Sequence, residues 1–294
     1  MAQLMVSQAP LWLNRRMIRH VIFLMAVLLA PLAVAAAEPE VVRFETLHRD
    51  RADLRGYLAK PAGDGPFAAV LMLHGCGGPL TARGAIAARE RVWIDRFTAE
   101  GYVVLLADSF NPRGYGDICS TRDRPITAER DRPYDAYAAL GWLRGQRYVR
   151  PDRVAVAGWS HGATTALAAI SQAMIDEIGW REPGFASAIV FYPGCLNLSK
   201  AAYATSVPLL MQLGEKDDWT PPRFCHRLAE TLTGQGAAIT LDTYAGPITA
   251  STDRRACVPE APATARARAR STSVVIRQRR SNHWRASQLG WRPR

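Results

Sequence analysis

The six histidines and five cysteines of this 294-residue chain show no C-x-x-C or H-x-x-x-H spacing. Nothing in the sequence therefore builds a zinc site, and no metal or organic cofactor is expected. The apolar run from Val21 to Val34 is too short to span a bilayer comfortably. Net charge is also missing from the middle of the chain. Residues 247–294 hold eleven Arg, no Lys and two acids (Asp253, Glu260), a net of +9; Arg15, Arg16 and Arg19 add +3 at the other end, which leaves −1 of the total +11 for residues 38–246. A segment so nearly neutral lacks the basic footprint of a nucleic-acid or anionic-membrane surface.

The two ends have their own readings. Arg15, Arg16 and Arg19 precede the apolar run, and Ala35-Ala36-Ala37 precede Glu38. This is the pattern of a secretory signal over residues 1–37, with Met17 as an alternative start. A retained membrane anchor is the competing reading, and Arg15-Arg16 also has the form of a twin-arginine export signal. The small-residue cleavage pattern favours export to the periplasm or beyond, without a stable anchor. An exported chain meets an oxidising compartment, where cysteines pair. Cys76, Cys119, Cys195 and Cys225 lie between residues 38 and 246 and allow three pairings. Cys195 follows a predicted strand and Cys225 opens a helix near the end of the next, so a Cys195–Cys225 bridge is expected. The Cys76 side chain is given no role.

From Val41 onward, short β-rich runs alternate with helical patterns, which predicts one α/β domain over 38–246: a mostly parallel twisted sheet of about eight strands with helices on both faces. Strands are expected at about 41–47, 54–59, 68–73, 102–107, 153–158, 186–192, 207–213 and 238–244, the first two as antiparallel edge strands. Helices are expected at about 84–99, 128–146, 161–177 and 222–233. Ile86, Val92, Trp93, Ile94 and Phe97 supply the apolar face of the first. The long connection 109–131, rich in Gly, Pro, Arg and Asp, leaves a strand at its C-terminal end and reads as a lid or substrate wall, with a plain surface loop as the alternative.

Three segments carry chemistry. Gly158-Trp-Ser160-His-Gly162 follows an apolar strand and opens an Ala-rich helix. In that setting G-x-S-x-G is a turn so sharp that only glycine fits on either side, leaving Ser160 exposed as a nucleophile and aiming the His161 amide at a developing oxyanion. His74-Gly75-Cys76-Gly77-Gly78 ends an earlier strand, and a glycine-rich backbone there offers the second oxyanion donor, the Cys76 amide. His74 itself reads as a structural hydrogen-bonder. Gly214-Glu-Lys-Asp217-Asp218 ends a third strand, where a carboxylate would orient a histidine base.

With HGCGG, DSFNPRG, GWSHG and GEKDDWTPP in place, residues 41–246 resemble the dienelactone hydrolase family of the α/β-hydrolase superfamily, in its exported, serine-containing branch. The resemblance selects Asp217 over Asp218, because a G-x-x-D-x-x-x-P motif matches Gly214, Asp217 and Pro221. Members named for dienelactone hydrolysis carry Cys in the elbow. Ser160 in its place implies a general carboxylesterase or lactonase acting on small-molecule esters or lactones.

The triad histidine is absent from its expected position. The family shows Y-x-G-A-x-H-x-F-D after the last strand, whereas this chain reads Tyr244-Ala-Gly-Pro-Ile-Thr-Ala. Restoring one G to the codon run for Gly246 and Pro247 turns the same DNA into YAGAHHGFDRP, so a single-base deletion accounts for the loss. It also accounts for the Arg-, Ala- and Pro-rich segment 247–294, which has no hydrophobic period and is expected to be an out-of-frame, disordered tail. A real basic tail that binds nucleic acid is the rival reading, and it predicts salt-sensitive DNA affinity lost on truncation at Gly246. His283 in the tail, His161 and His226 are poor substitutes for the base. The expected function is a serine hydrolase impaired by the missing histidine; the alternative is a non-catalytic small-molecule-binding protein on the same fold. No partner subunit, and no oligomeric state, follows from the sequence.

Overall fold

In the computed structural model, residues 38–245 and the backbone of 277–279 are described. The expected signal segment 1–37 and the remainder of 246–294, with His283, lie outside the described residues. Nine strands form one sheet: β1 (Glu40–Glu45), β2 (Asp53–Ala59), β3 (Phe67–Leu73), β4 (Val103–Asp108), β5 (Val149–Trp159), β6 (Ser187–Phe191), β7 (Leu209–Gly214), β8 (Ile239–Tyr244) and β9 (Arg277–Arg279). Their order is β1-β2-β4-β3-β5-β6-β7-β8-β9. All pairings from β4–β3 onward are parallel, while β1–β2 and β2–β4 are antiparallel. The second strand is thus not an edge strand as expected, because β4 pairs along its far side. The ninth strand was not foreseen.

Among the described residues, five α-helices accompany the sheet: α1 (Ala88–Ala99), α2 (Arg132–Arg144), α3 (His161–Ala169), α4 (Gln172–Ile178) and α5 (Pro222–Gly234). Strand periodicity divides the core into two layers. Leu71, Leu73, Leu105, Val156, Val190 and Met211 point to one face, against Tyr137, Leu140 and Leu143 of α2, Leu167 of α3 and Leu228 and Leu232 of α5. The alternate residues Val70, Met72, Val104, Leu106, Ala157 and Leu210 point to the other, against Trp93, Ile94 and Phe97 of α1. Burial on both faces is why these strands read as continuous apolar runs rather than alternating ones.

Two helix expectations need correction. Val92 is 39% exposed, not part of the buried face of α1; residues 93, 94 and 97 share one helical stripe, and 92 falls a 100° step off it. Ile86 precedes the helix, in a bridge with Leu80. The stretch expected as one helix from 161 to 177 breaks at Ile170–Ser171, where the Ser171 hydroxyl accepts from the Met174 amide at 3.3 Å and caps α4.

Candidate active site

The C-terminal ends of β3, β5 and β7 bring the three chemical segments to one edge of the sheet. Ser160 sits between β5 and α3 with φ +50°, a left-handed backbone in a residue with a side chain, and such strain concentrates at functional positions. Its neighbours explain how the turn closes. A Cβ on Gly158 would come within 2.3 Å of the Gly162 carbonyl oxygen, and one on Gly162 within 2.1 Å of the Leu73 carbonyl oxygen. The first turn of α3 is therefore jammed against the end of β3, which only glycine permits. The Ser160 amide donates to the Phe191 carbonyl at 2.9 Å, and the residue is half-buried. A Cβ built on Gly75 would lie 3.9 Å from Ser160 Cβ, so the HGCGG segment runs alongside Ser160.

Asp217 is 5% exposed and follows β7, whereas Asp218 is exposed. Its Oδ1 accepts the Trp219 and Thr220 amides at 3.0 and 2.7 Å, and its Oδ2 accepts the Thr220 hydroxyl at 2.7 Å. β7 lies two strands from β5, so about 10 Å separates the two strand ends. That gap is too wide for direct contact and suits an intervening imidazole. The loop after β8, the neighbour of β7, is described only as far as Ala245.

The four histidines among the described residues have other surroundings. His74 is fully buried; its Nδ1 donates to the Gly75 carbonyl at 2.7 Å and its Nε2 accepts the Ser109 amide at 3.3 Å. Burial, followed by the Arg132 charge, drives its pKa well below the ordinary imidazole value, so it stays neutral as a structural hydrogen-bonder. His161 is held down to about 2, first by burial and then by Arg132. His226 is half-buried on α5. His48, near the start of the chain's sheet, faces Asp50 and Asp131 instead.

Two disulfides brace this edge. Cys195–Cys225, as expected, ties the loop after β6 to α5. That loop is also fastened to α3, through the Gly194 amide donating to Thr164 Oγ1 at 2.8 Å, and to the acid turn, through Thr220 Oγ1 donating to the Tyr192 carbonyl at 3.2 Å. The second bridge, Cys76–Cys119, corrects the reading that left the Cys76 side chain without a role. It joins the HGCGG segment to the 109–131 connection. The Ile118 amide donates to the Cys76 carbonyl at 2.9 Å, and Cys76, Phe110, Ile118 and Ile126 form a small apolar cluster. The connection is thus fastened to the HGCGG segment by a disulfide, a backbone hydrogen bond and apolar contacts rather than being a free surface loop.

Sequence reasoning missed two arginines. Arg89 of α1 donates from Nη1 to the Tyr192 hydroxyl at 3.2 Å and pairs with buried Glu90, and its Nη2 lies 3.5 Å from a Cβ built on Gly75. Arg132, at the start of α2, is fully buried. Both sit in stretches dense with charge, where nothing marks one arginine as facing inward. Among the described residues, no three His, Cys, Asp or Glu side chains gather as metal ligands, and no helix is long and apolar enough to cross a membrane.

A strained serine between the carboxyl end of a parallel strand and a helix, beside a glycine-rich loop and a strand-end carboxylate, defines the α/β-hydrolase fold. Among solved structures, the butyrate-bound Est2 esterase of Thermogutta terrifontis superposes with a TM-score of 0.53 at 19% identity, covering 72% of this chain and 84% of that one. The model of the "Dienelactone hydrolase family" matches residues 54–277, and the chain belongs to that family, which makes it by class a hydrolase of carboxylic esters or lactones. Curated relatives include the "Putative carboxymethylenebutenolidase" of Aquifex aeolicus, 26% identical over 219 residues that span 70% of this chain and 84% of the relative. "Protein usf" of Aquifex pyrophilus is 24% identical over 216 residues, again 70% and 84%.

Proposed function

We propose that the chain is an exported serine hydrolase in which Ser160 attacks the carbonyl carbon of a small ester or lactone. The Ser160 Oγ–carbon bond forms as the carbonyl π pair moves onto oxygen, and the Cys76 and His161 amides receive that oxyanion. Collapse expels the alkoxide, which takes a proton, and water then releases the acid from Ser160. Asp217, already held by three donors, would orient a base delivered from the loop after β8. The sequence offers no histidine between His226 and His283, so the serine proton passes to water instead. Loss of the base in such enzymes leaves about 10³ to 10⁴-fold catalysis over water. We attribute the loss to the single-base deletion and read residues 247–294 as out of frame, including Arg277–Arg279, which pair with β8. The two disulfides support export, since such bridges persist in oxidising compartments.

The observation that carries this reading is the left-handed Ser160 on a turn whose two flanking glycines, Gly158 and Gly162, have no room for a Cβ. Hydrolysis of p-nitrophenyl acetate tests it. Slow turnover that disappears in Ser160→Ala supports the enzyme; equal rates in the two proteins support the rival reading, a binding protein on this fold. Resequencing the codons for Tyr244 to Ile248 tests the deletion, and one additional G is the expected result.

A further inference from the structure

Arg132 has no ion pair among the described residues, and its Nε and Nη2 have no hydrogen-bond partner. A guanidinium that is fully buried and this poorly matched is costly, so the fold must gain something from keeping it there. Its one engaged nitrogen, Nη1, lies 2.9 Å from the His74 carbonyl oxygen and 2.9 Å from His161 Nδ1. A guanidinium only donates, so His161 Nδ1 must accept and the remaining proton sits on Nε2; the ring also makes a hydrogen bond with the Ile126 backbone. Phe110 completes the cluster. It meets the His74 and His161 rings edge-on, with centroids 4.5 and 5.7 Å away, and the Arg132 guanidinium lies 5.1 Å from its ring centre.

The two groups that share Nη1 belong to the two segments bearing the oxyanion donors. His74 begins the segment that presents the Cys76 amide, and His161 is itself the other donor residue. Resting on the proposed serine chemistry, we propose that Arg132 is the positioning residue of the oxyanion hole: its buried guanidinium locks both donor segments in register and sets a positive charge without a direct ion pair behind them. Asp135 and Asp108 act on it only at a distance, so the charge remains open to a new anion. In the resting enzyme that charge is underused. The further negative charge arrives only when the tetrahedral adduct carries a negative oxygen, so the benefit falls on the transition state rather than on substrate binding. Burial lowers the Arg132 pKa to about 10, which still leaves it cationic at neutral pH.

The test uses the full chain and two readouts: p-nitrophenyl acetate kinetics, and affinity for phenylboronic acid. In the boronate complex the serine oxygen bonds to boron and its proton leaves to buffer, giving a tetrahedral anion that mimics the adduct without a leaving group. Arg132→Met is expected to lower kcat at least tenfold with KM within twofold, and to weaken boronate binding by a similar factor. Arg132→Lys, which keeps the charge, is expected to recover part of both. His161→Ala leaves the backbone amide in place but removes the acceptor ring. It is expected to lower kcat severalfold and decides the matter should the methionine variant not fold. Unchanged kcat and boronate affinity in folded Arg132→Met or His161→Ala overturn the proposal, as does a loss carried by KM alone. Equal hydrolysis by wild type and Ser160→Ala would instead overturn the serine chemistry, so the two failures are distinguishable.

Discussion

Replacing Cys119 by Ser opens the bridge between the oxyanion segment and the wall without altering the Cys76 amide. Two effects follow, and they can be separated. The bridge spans a sequence separation of 43; closing a loop of that length removes about 13 cal/mol/K from the unfolded chain, or about 4 kcal/mol at 25 °C. In a domain of this size each kcal/mol moves Tm by about 2–4 °C, so the variant should melt about 8–16 °C lower. The second effect is local. With the wall held only by the Cys76, Phe110, Ile118 and Ile126 cluster, the Cys76 amide loses part of its fixed aim. Outright removal of one oxyanion donor costs about 10² to 10³ in kcat, and partial loosening should cost about tenfold, measured well below either melting point. Differential scanning calorimetry reads the first effect and p-nitrophenyl acetate turnover at 15 °C the second. Unchanged turnover with a lowered Tm would reduce the bridge to a staple, and an unchanged Tm would refute the loop-closure argument itself.

Other outcomes follow from the same geometry. Cys195→Ala with Cys225→Ala opens a separation of 30 and should cost about 3.6 kcal/mol in urea unfolding; a cost below about 1 kcal/mol sinks that figure. Gly162→Ala sets a methyl 2.1 Å from the Leu73 carbonyl oxygen, with backbone on both sides and no rotamer to escape into, so a loss of about 3 kcal/mol or more is expected, together with loss of turnover. A fully stable Gly162→Ala protein would contradict the described turn. Stability should also fall in acid. His161 titrates near 2 when folded and near 6.5 when unfolded, so the unfolded chain binds the extra proton and stability is complete above pH 6.5. It declines below that at about 1.4 kcal/mol per pH unit for this histidine, with His74 adding in the same direction. Urea midpoints that stay level from pH 7.5 to pH 5 would exclude it. Finally, Asp217→Asn should change turnover little in this chain but about 10⁴-fold in one whose YAGAHHGFDRP frame is restored; a large loss in the present chain would mean that a base is already at work.

What could be read from the residues was whatever depends on near neighbours in sequence. Apolar runs such as Val70–Leu73 and Leu209–Leu213 announce buried parallel strands, and Gly158, Ser160 and Gly162 announce a turn because their spacing is itself the steric requirement. The choice of Asp217 over Asp218 agrees with burial, since one carboxylate turns inward to three donors and the other to solvent. Contacts across the fold were harder to see. Cys76 and Cys119 lie on loops after different strands, and no local pattern pairs them. Arg132 follows Asp131 and Arg130 in a stretch that looks uniformly solvated, and only the arrival of β3 and α3 beneath it makes one of those charges internal. The sheet order had the same limit: β2 looked like an edge because its second partner, β4, is separated from it by the whole of β3 and α1.

The bridge between Cys76 and Cys119 also makes a covalent ring of the chain between them, and α1 and β4 are part of that ring. A protease that nicks this ring once cannot release a fragment. The cut protein migrates as one band on a non-reducing gel and as two after reduction, so the 109–131 connection can be severed ahead of Cys119 without being shed.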